Sequence, residues 1–258
     1  MTPNEHNRLE TLLRLARRDP GHRPAFYRVL LESRVYVIGS GPASGDHGEQ
    51  RVALQQWETP DGEAVIPFFT SLEVLRESID ADEQVLGLSG RELFGLAKNM
   101  SLYLNPRSED GQPFSPDEVT NLLTGELPRE PRRPGEVETG DPELDLGSPD
   151  PLPAEPVSAL TTLFAGLPGV RKAWLLETRY SEKSAAPVLV LDCDPGCYGP
   201  AEREAAFVLG QLEGRWQECS FLQYDGRDIR YLVADAPDPF YDRRWGLLLD
   251  TAFEPGRA

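Results

Sequence analysis

Residues 126–156 read ELPREPRRPGEVETGDPELDLGSPDPLPAEP, and this stretch decides the fold because nothing in it builds a core. Proline recurs every few residues, carboxylates repel one another, and aromatic side chains are absent. Such a composition buries too little apolar area to offset the entropy of ordering the chain. It predicts an acidic, Pro-rich linker, extended by its prolines and charges, with a folded block on each side. The sharper alternative is an acidic segment that docks on a basic partner. Working outward, residues 105–156 hold 13 acidic and 4 basic side chains and 11 of the 24 prolines. Residues 1–104 and 157–258 each hold 15 acidic and 11 basic side chains. Over half of the net charge of −17 therefore sits in a fifth of the sequence.

A chain of 258 residues suits one or two domains, and 39% hydrophobic content is enough for ordinary cores. No apolar run approaches the ~18 residues of a membrane helix, and the opening MTPNEHNRLE has no apolar stretch of a secretory leader. A cytoplasmic protein is the expectation. The acidity argues against nucleic acid and anionic membranes as partners, since phosphates are bound by neutralising Lys and Arg.

In the first block, Leu9, Leu12, Leu13 and Ala16 form one helical stripe that Asp19-Pro20-Gly21 ends. Pro24 suits a first helical turn ahead of Phe26, Val29 and Leu30. Val35 to Ile38 reads as a strand. Val52 to Trp57 and Glu63 to Phe69 read as two more, joined by the turn Thr59-Pro60-Asp61-Gly62. Pro67 should place the second of these at an edge or a bulge. Thr70 with Glu73, Ser89 with Glu92 and Ser115 with Glu118 have the spacing of helix-capping boxes. The first opens a helix with Leu72, Leu75 and Ile79, the second one with Leu93 and Leu96. Val85-Leu86 and Leu102 to Leu104 are strand-like runs between them.

In the second block, Val157, Leu160, Leu163 and Phe164 mark a helix closing near Gly166. Ala173 to Leu176 and Val188 to Leu191 are continuous apolar runs, as in strands covered on both faces. Gly199-Pro200 starts a helix bearing Ala201, Ala205, Val208, Leu209 and Leu212. Phe221-Leu222 suggests a third strand, while Ile229 to Ala234 reads either way. The fold class is α+β: two mixed α/β domains, each a small sheet with flanking helices, over 1–125 and 157–258, joined by the linker 126–156.

Chemical constellations are scarce. Gly39 to Gly45 follows a strand, but Ser44 occupies the third glycine position of a dinucleotide loop and no helix start follows. Cys193-x3-Cys197 and Cys219 provide no second close pair, and His6, His22 and His47 all lie in the other block, so no metal site is expected. The thiols read as free in a reducing compartment. Neither a G-x-S-x-G elbow nor a P-loop occurs. His22, beside Arg23, reads better as a helix-start residue than as a catalytic base. No catalytic residue and no cofactor are assigned; carboxylate-only catalysis stays open.

Two clusters differ from simple core. Val65 to Phe69 puts Phe68 and Phe69 on opposite faces of one strand, so one of them can point away from the core. Pro239 to Gly246 packs Phe240, Tyr241 and Trp245 beside Arg243 and Arg244, the residue types enriched at interface hot spots. The plain reading is a C-terminal segment clamping its own domain. The sharper one is a partner-facing patch made of Phe68, Phe69, Phe240, Tyr241, Arg243, Arg244 and Trp245.

His22-Arg-Pro-Ala-Phe-Tyr-Arg-Val-Leu-Leu-Glu-Ser33, Val65-Ile-Pro-Phe-Phe-Thr-Ser-Leu-Glu73, Leu160-Thr-Thr-Leu-Phe164 and Pro239-Phe-Tyr-Asp-Arg-Arg-Trp-Gly246 resemble, in order and spacing, the bacterial SseB family, named for enhanced serine sensitivity. The resemblance spans both blocks, as separate N-terminal and C-terminal domains, and the acidic, Pro-rich linker departs from it. It implies the folds and a bacterial cytoplasm, and brings no catalytic set. The expected function is a non-enzymatic protein-interaction or regulatory module with protein partners. The alternative is a sensor of amino acids or sulfur metabolites, or an enzyme without metal or nucleotide. Self-assembly into a homodimer is a third option.

Overall fold

The computed structural model describes residues 3–40, 53–80, 83–125, 127, 146–178, 186–224 and 238–244. The chain divides into two compact units, one of residues 1–19 and 23–128 and the other of residues 20–22 and 129–258.

The N-terminal unit opens with α1 (Pro3–Arg18) and α2 (Arg23–Glu32), separated by the single 3-10 turn Pro20–His22. Leu9, Leu13 and Ala16 of the predicted stripe are buried, as are Phe26 and Leu30. The strands β1 (Arg34–Ser40), β4 (Ala64–Phe69), β5 (Val85–Ser89), β6 (Ser101–Leu104) and β7 (Gln112–Phe114) form a mixed sheet in the order β5-β1-β4-β6-β7. Among the described strands of this sheet, only β4 and β6 are parallel. Two short strands complete it: β2 (Ala53–Leu54) pairs with the end of β1 and β3 (Trp57–Glu58) with the start of β4. The predicted turn is present, with Gly62 at φ +83 and the Gly62 amide donating to the Thr59 carbonyl at 2.9 Å.

Pro67 corrects an expectation. β4 is an interior strand, flanked by β6 on one side. On the other side β3 pairs with Ala64 and Val65 and β1 with Phe68 and Phe69, so Pro67 falls in the gap between two ladders. A residue without an amide hydrogen is accommodated there without losing a ladder bond on that side.

The helices α4 (Gly90–Leu96) and α5 (Pro116–Thr124) carry the predicted capping boxes. The Ser89 and Ser115 hydroxyls accept from the amides of Glu92 and Glu118, whose carboxylates accept from the serine amides at 2.8 Å. The third box is shifted: α3 (Leu72–Arg76) is capped by Ser71, whose hydroxyl accepts from the Val74 amide at 3.1 Å. Thr70 is unavailable because Asn105 engages it. Leu93 and Leu75 are buried as expected, whereas Leu96 and Leu72 are about half exposed.

The C-terminal unit contains β8 (Leu146–Gly147), α6 (Ala154–Ala165), β9 (Val170–Thr178), β10 (Pro187–Cys193), α7 (Tyr198–Gly210), β11 (Ser220–Gln223) and β12 (Tyr241–Asp242). The sheet order is β11-β10-β9-β12, with β10 and β11 parallel and β8 pairing with the end of β9. Val188 to Leu191 are fully buried, as their unbroken apolar run requires. Leu146 packs with Leu176, Val188 and Val190. The expected linker therefore stops short of 156: one leucine inside the acidic stretch buries itself, and α6 already begins at Ala154 with Pro156 in its buried face. Burying one leucine contributes about 2 kcal/mol, enough to hold a two-residue strand on an existing edge. Ile229 to Ala234 lies outside the described residues. No described helix is long and apolar enough to cross a membrane.

Candidate protein-interaction surface

The segment Pro239 to Arg244 is fixed by its pairing with β9, where Tyr241 sits opposite Ala173 and Asp242 opposite Lys172. Alternation along a strand sends neighbouring side chains to opposite faces. Tyr241 goes inward: it is 9% exposed, its ring lies 5.6 Å from that of Phe164, and its hydroxyl donates to the Phe164 carbonyl at 3.0 Å. Phe240 is half-buried, with its ring 6.3 Å from the same phenylalanine. Burial raises the Tyr241 phenol above its ordinary pKa.

Asp242 is 4% exposed yet charged. Its Oδ1 accepts from the Arg244 amide and Nε, both at 3.0 Å, and its Oδ2 accepts from Arg244 Nη2 at 2.6 Å. Lys172 Nζ stands 3.9 Å from Oδ2. The Arg244 guanidinium holds the Asp242 carboxyl below the usual carboxylate range. The Arg244 side chain is itself 73% exposed, and Arg243 beside it is exposed too. On β9, Arg171 pairs with Asp192 and, at 2.7 Å, with Asp194. At the β12 rim, a fixed guanidinium, that of Arg244, thus stands on a chain whose net charge is −17.

The other expected surface residues lie elsewhere. Phe68 and Phe69 do face opposite sides of β4, and both are fully buried within their own domain. Phe68 meets the rings of Phe94 and Phe114 at 5.9 Å. Phe69 joins Ile38 and Leu75, with Trp57 at 6.2 Å, because α3 and β3 cover the second face. Neither phenylalanine is presented to a partner or to a second copy. Tyr241 is likewise an anchor for its own domain, and Trp245 lies outside the described residues.

Sequence reasoning missed one polar cluster. Asn105, at φ +45 and 4% exposed, follows β6, and Thr70 follows β4. The Thr70 amide donates to Asn105 Oδ1 at 3.0 Å, Asn105 Nδ2 donates to Thr70 Oγ1 at 3.2 Å, and the Thr70 hydroxyl donates to Glu10 at 3.1 Å. The available signal was an asparagine directly after a strand, a residue type that tolerates left-handed backbone. A cleft of about 300 Å³ at the ends of β1 and β2 is lined by Ile38, Gly39, Leu54, Gln55, Glu83 and Gln84, with Glu83 its one ionisable group among the described residues.

Cys193 and Cys219 are buried, and burial pushes their thiols up to about 11 and about 12. His22 is half-buried. Among the described residues no group of three or more His, Cys, Asp or Glu side chains could hold a metal ion.

Fold and rim together define a two-domain α+β protein in which one exposed arginine, Arg244, is held by a buried carboxylate. Comparison with known proteins then supplies the family. The SseB protein N-terminal domain matches residues 9–121 and the SseB protein C-terminal domain matches 138–243, the latter starting inside the acidic stretch. Protein SseB of Escherichia coli (strain K12) and Protein SseB of Shigella flexneri are each 32% identical over 244 residues, covering 93% of both chains. The chain belongs to the SseB family. No solved structure matches it.

Proposed function

We propose that the protein is a non-enzymatic, cytoplasmic binding module that acts on protein partners through the rim of its C-terminal unit. The observation that carries this reading is Arg244, largely exposed yet fixed by a buried carboxylate on a segment anchored through Tyr241. Arginine and aromatic groups held in place are the residues that dominate binding energy at interfaces. The test is a pull-down from bacterial extract with wild type and Arg243→Ala, a change that removes no hydrogen bond or ion pair among the described residues. Partners lost from the folded variant support the rim; an unchanged set of recovered proteins removes it.

A second reading, a small-metabolite sensor, rests on the Thr70–Asn105 pair. It lies at the carboxyl ends of the parallel strands β4 and β6, the end of a sheet at which α/β proteins gather ligands. Thermal-shift titration with serine, other amino acids and sulfur metabolites tests it, since a ligand of the folded state alone raises stability by mass action. No saturable shift with any of them eliminates it.

A further inference from the structure

We infer that the Arg243–Arg244 rim is a preorganised anchor for a short carboxylate-rich segment of a protein partner, with Asp242 as the residue that positions it. The inference rests on the contact-surface reading above and names the chemistry of what the surface takes.

An exposed arginine is ordinarily a mobile side chain that loses rotamer freedom on binding. Arg244 has already lost it. Its side chain curls back over two residues onto Asp242, using Nε and Nη2, while its own amide closes the same turn on Oδ1. Asp242 in turn is 4% exposed and sits in register with Lys172 on β9, so the carboxylate is immobile and a second cation stands beside it. A guanidinium carries five N–H donors in one plane. Nη1 of Arg244 makes no hydrogen bond among the described residues, and the side chain remains 73% exposed. The edge that faces solvent is therefore held in one orientation, which favours planar, bidentate capture of a second carboxylate. Arg243 adds a neighbouring exposed charge, and half-buried Phe240 offers an apolar contact.

Charge decides between anionic partners. Double-stranded nucleic acid presents a charge about every 1.7 Å of its axis, far beyond the reach of three cationic side chains. Its continuation would meet a chain of net charge −17. A peptide with two or three acidic residues spans little more than the Debye length of about 8 Å and stays within the rim.

The test uses the full chain and octaglutamate carrying a neutral fluorophore, read by anisotropy at low salt. Wild type binds, with affinity falling as salt rises. Arg243→Ala and Arg244→Lys each weaken binding by about tenfold, the latter because lysine keeps the charge and loses the fork. Arg76→Ala, a cation of the other unit, leaves it unchanged. Asp242→Asn is decisive: it makes the rim more positive, so a purely charge-driven surface binds tighter, whereas loss of Arg244 orientation makes binding weaker. Each variant is checked for native circular dichroism, and Arg244→Lys and Arg243→Ala carry the result where Asp242→Asn does not fold. Equal affinity of Arg244→Lys and wild type, or no binding by wild type, overturns the inference. If octaglutamate fails while Arg243→Ala still strips a partner in the pull-down, the acidic occupant is wrong and the contact surface stands. If the pull-down is unchanged too, both fall.

Discussion

The Tyr241 hydroxyl donates to the main-chain carbonyl of Phe164, tying the last described strand, β12, to the end of α6. Two residues of pairing alone make a weak strand, so this bond and the ring packing hold the segment that bears the rim. Tyr241→Phe keeps the ring and leaves the carbonyl without that donor, and it is expected to lower stability by about 1 kcal/mol. Tyr241→Ala also empties the ring site, at about 3–5 kcal/mol. Urea denaturation of both variants measures this; an unchanged midpoint for Tyr241→Phe would mean that water replaces the bond.

Asp242 gives the acid limb of stability a direction. Its folded pKa is depressed below the ordinary 3.8, first by the hydrogen bonds from Arg244. Above that ordinary value the charged form favours the fold, and the contribution disappears as pH falls through the lower, folded pKa. Wild type is therefore expected to exceed Asp242→Asn in stability at pH 7 and to lose that advantage progressively below about pH 4. Urea midpoints of the pair across pH 7 to 3 check this, and a gap that stays constant with pH excludes the ion pair as its source.

Local chemistry was readable in the sequence and long-range decisions were not. The boxes at Ser89 and Ser115 stand where their spacing put them, because a cap is settled within four residues. Thr70 had the same spacing with Glu73, yet it is claimed by Asn105, 35 positions away, and Ser71 caps instead. The two faces of Phe68 and Phe69 followed from strand period, but what covers the second face depends on α3 and Trp57. Leu146 was lost in an acidic background because a two-residue strand has no period to detect. At the rim, the aromatic–arginine string was visible. Its register against β9, which buries Tyr241 and Asp242 on opposite faces and leaves Arg243 and Arg244 exposed, was not.

Gly90 stands where a side chain has no room. A Cβ there would overlap the Leu30 carbonyl oxygen, and the Gly90 amide donates to the Ser33 carbonyl at 2.8 Å. The capping box of α4 thus draws the helix start against the end of α2. Gly90→Ala is expected to destabilise the N-terminal unit by about 1–3 kcal/mol despite alanine's better helix propensity. Thermal unfolding tests this: a stabilised variant would show that propensity outweighs the close approach.

Asn105 combines three demands that no other side chain meets together. It adopts left-handed backbone, accepts from the Thr70 amide and donates to the Thr70 hydroxyl. Asn105→Ala leaves a buried amide without its acceptor and keeps the backbone strain, so a loss of about 2–4 kcal/mol is expected. Asn105→Gly relieves the strain alone and should fall between alanine and wild type. Equal stability of the glycine and alanine variants, measured in urea, would locate the whole effect in the hydrogen bonds.

The thiols separate by burial. Cys193 and Cys219 are buried and their pKa values are pushed up to about 11 and about 12, chiefly by desolvation, so both stay protonated at neutral pH and shielded from reagents. Cys197 is half-buried at the start of α7, where its side chain makes no capping hydrogen bond. Because the thiolate is the nucleophile, iodoacetamide at pH 8 is expected to label one cysteine quickly and two only at the rate of unfolding. Cys197→Ser removes the fast phase and leaves the slow one. The same shifts predict the alkaline limb: the unfolded thiols ionise near their ordinary 9.0 while the folded ones resist. Stability present below pH 9 is then lost as pH rises toward 11 and 12. Three thiols reacting at one rate in the native protein would show that neither buried cysteine is enclosed as described.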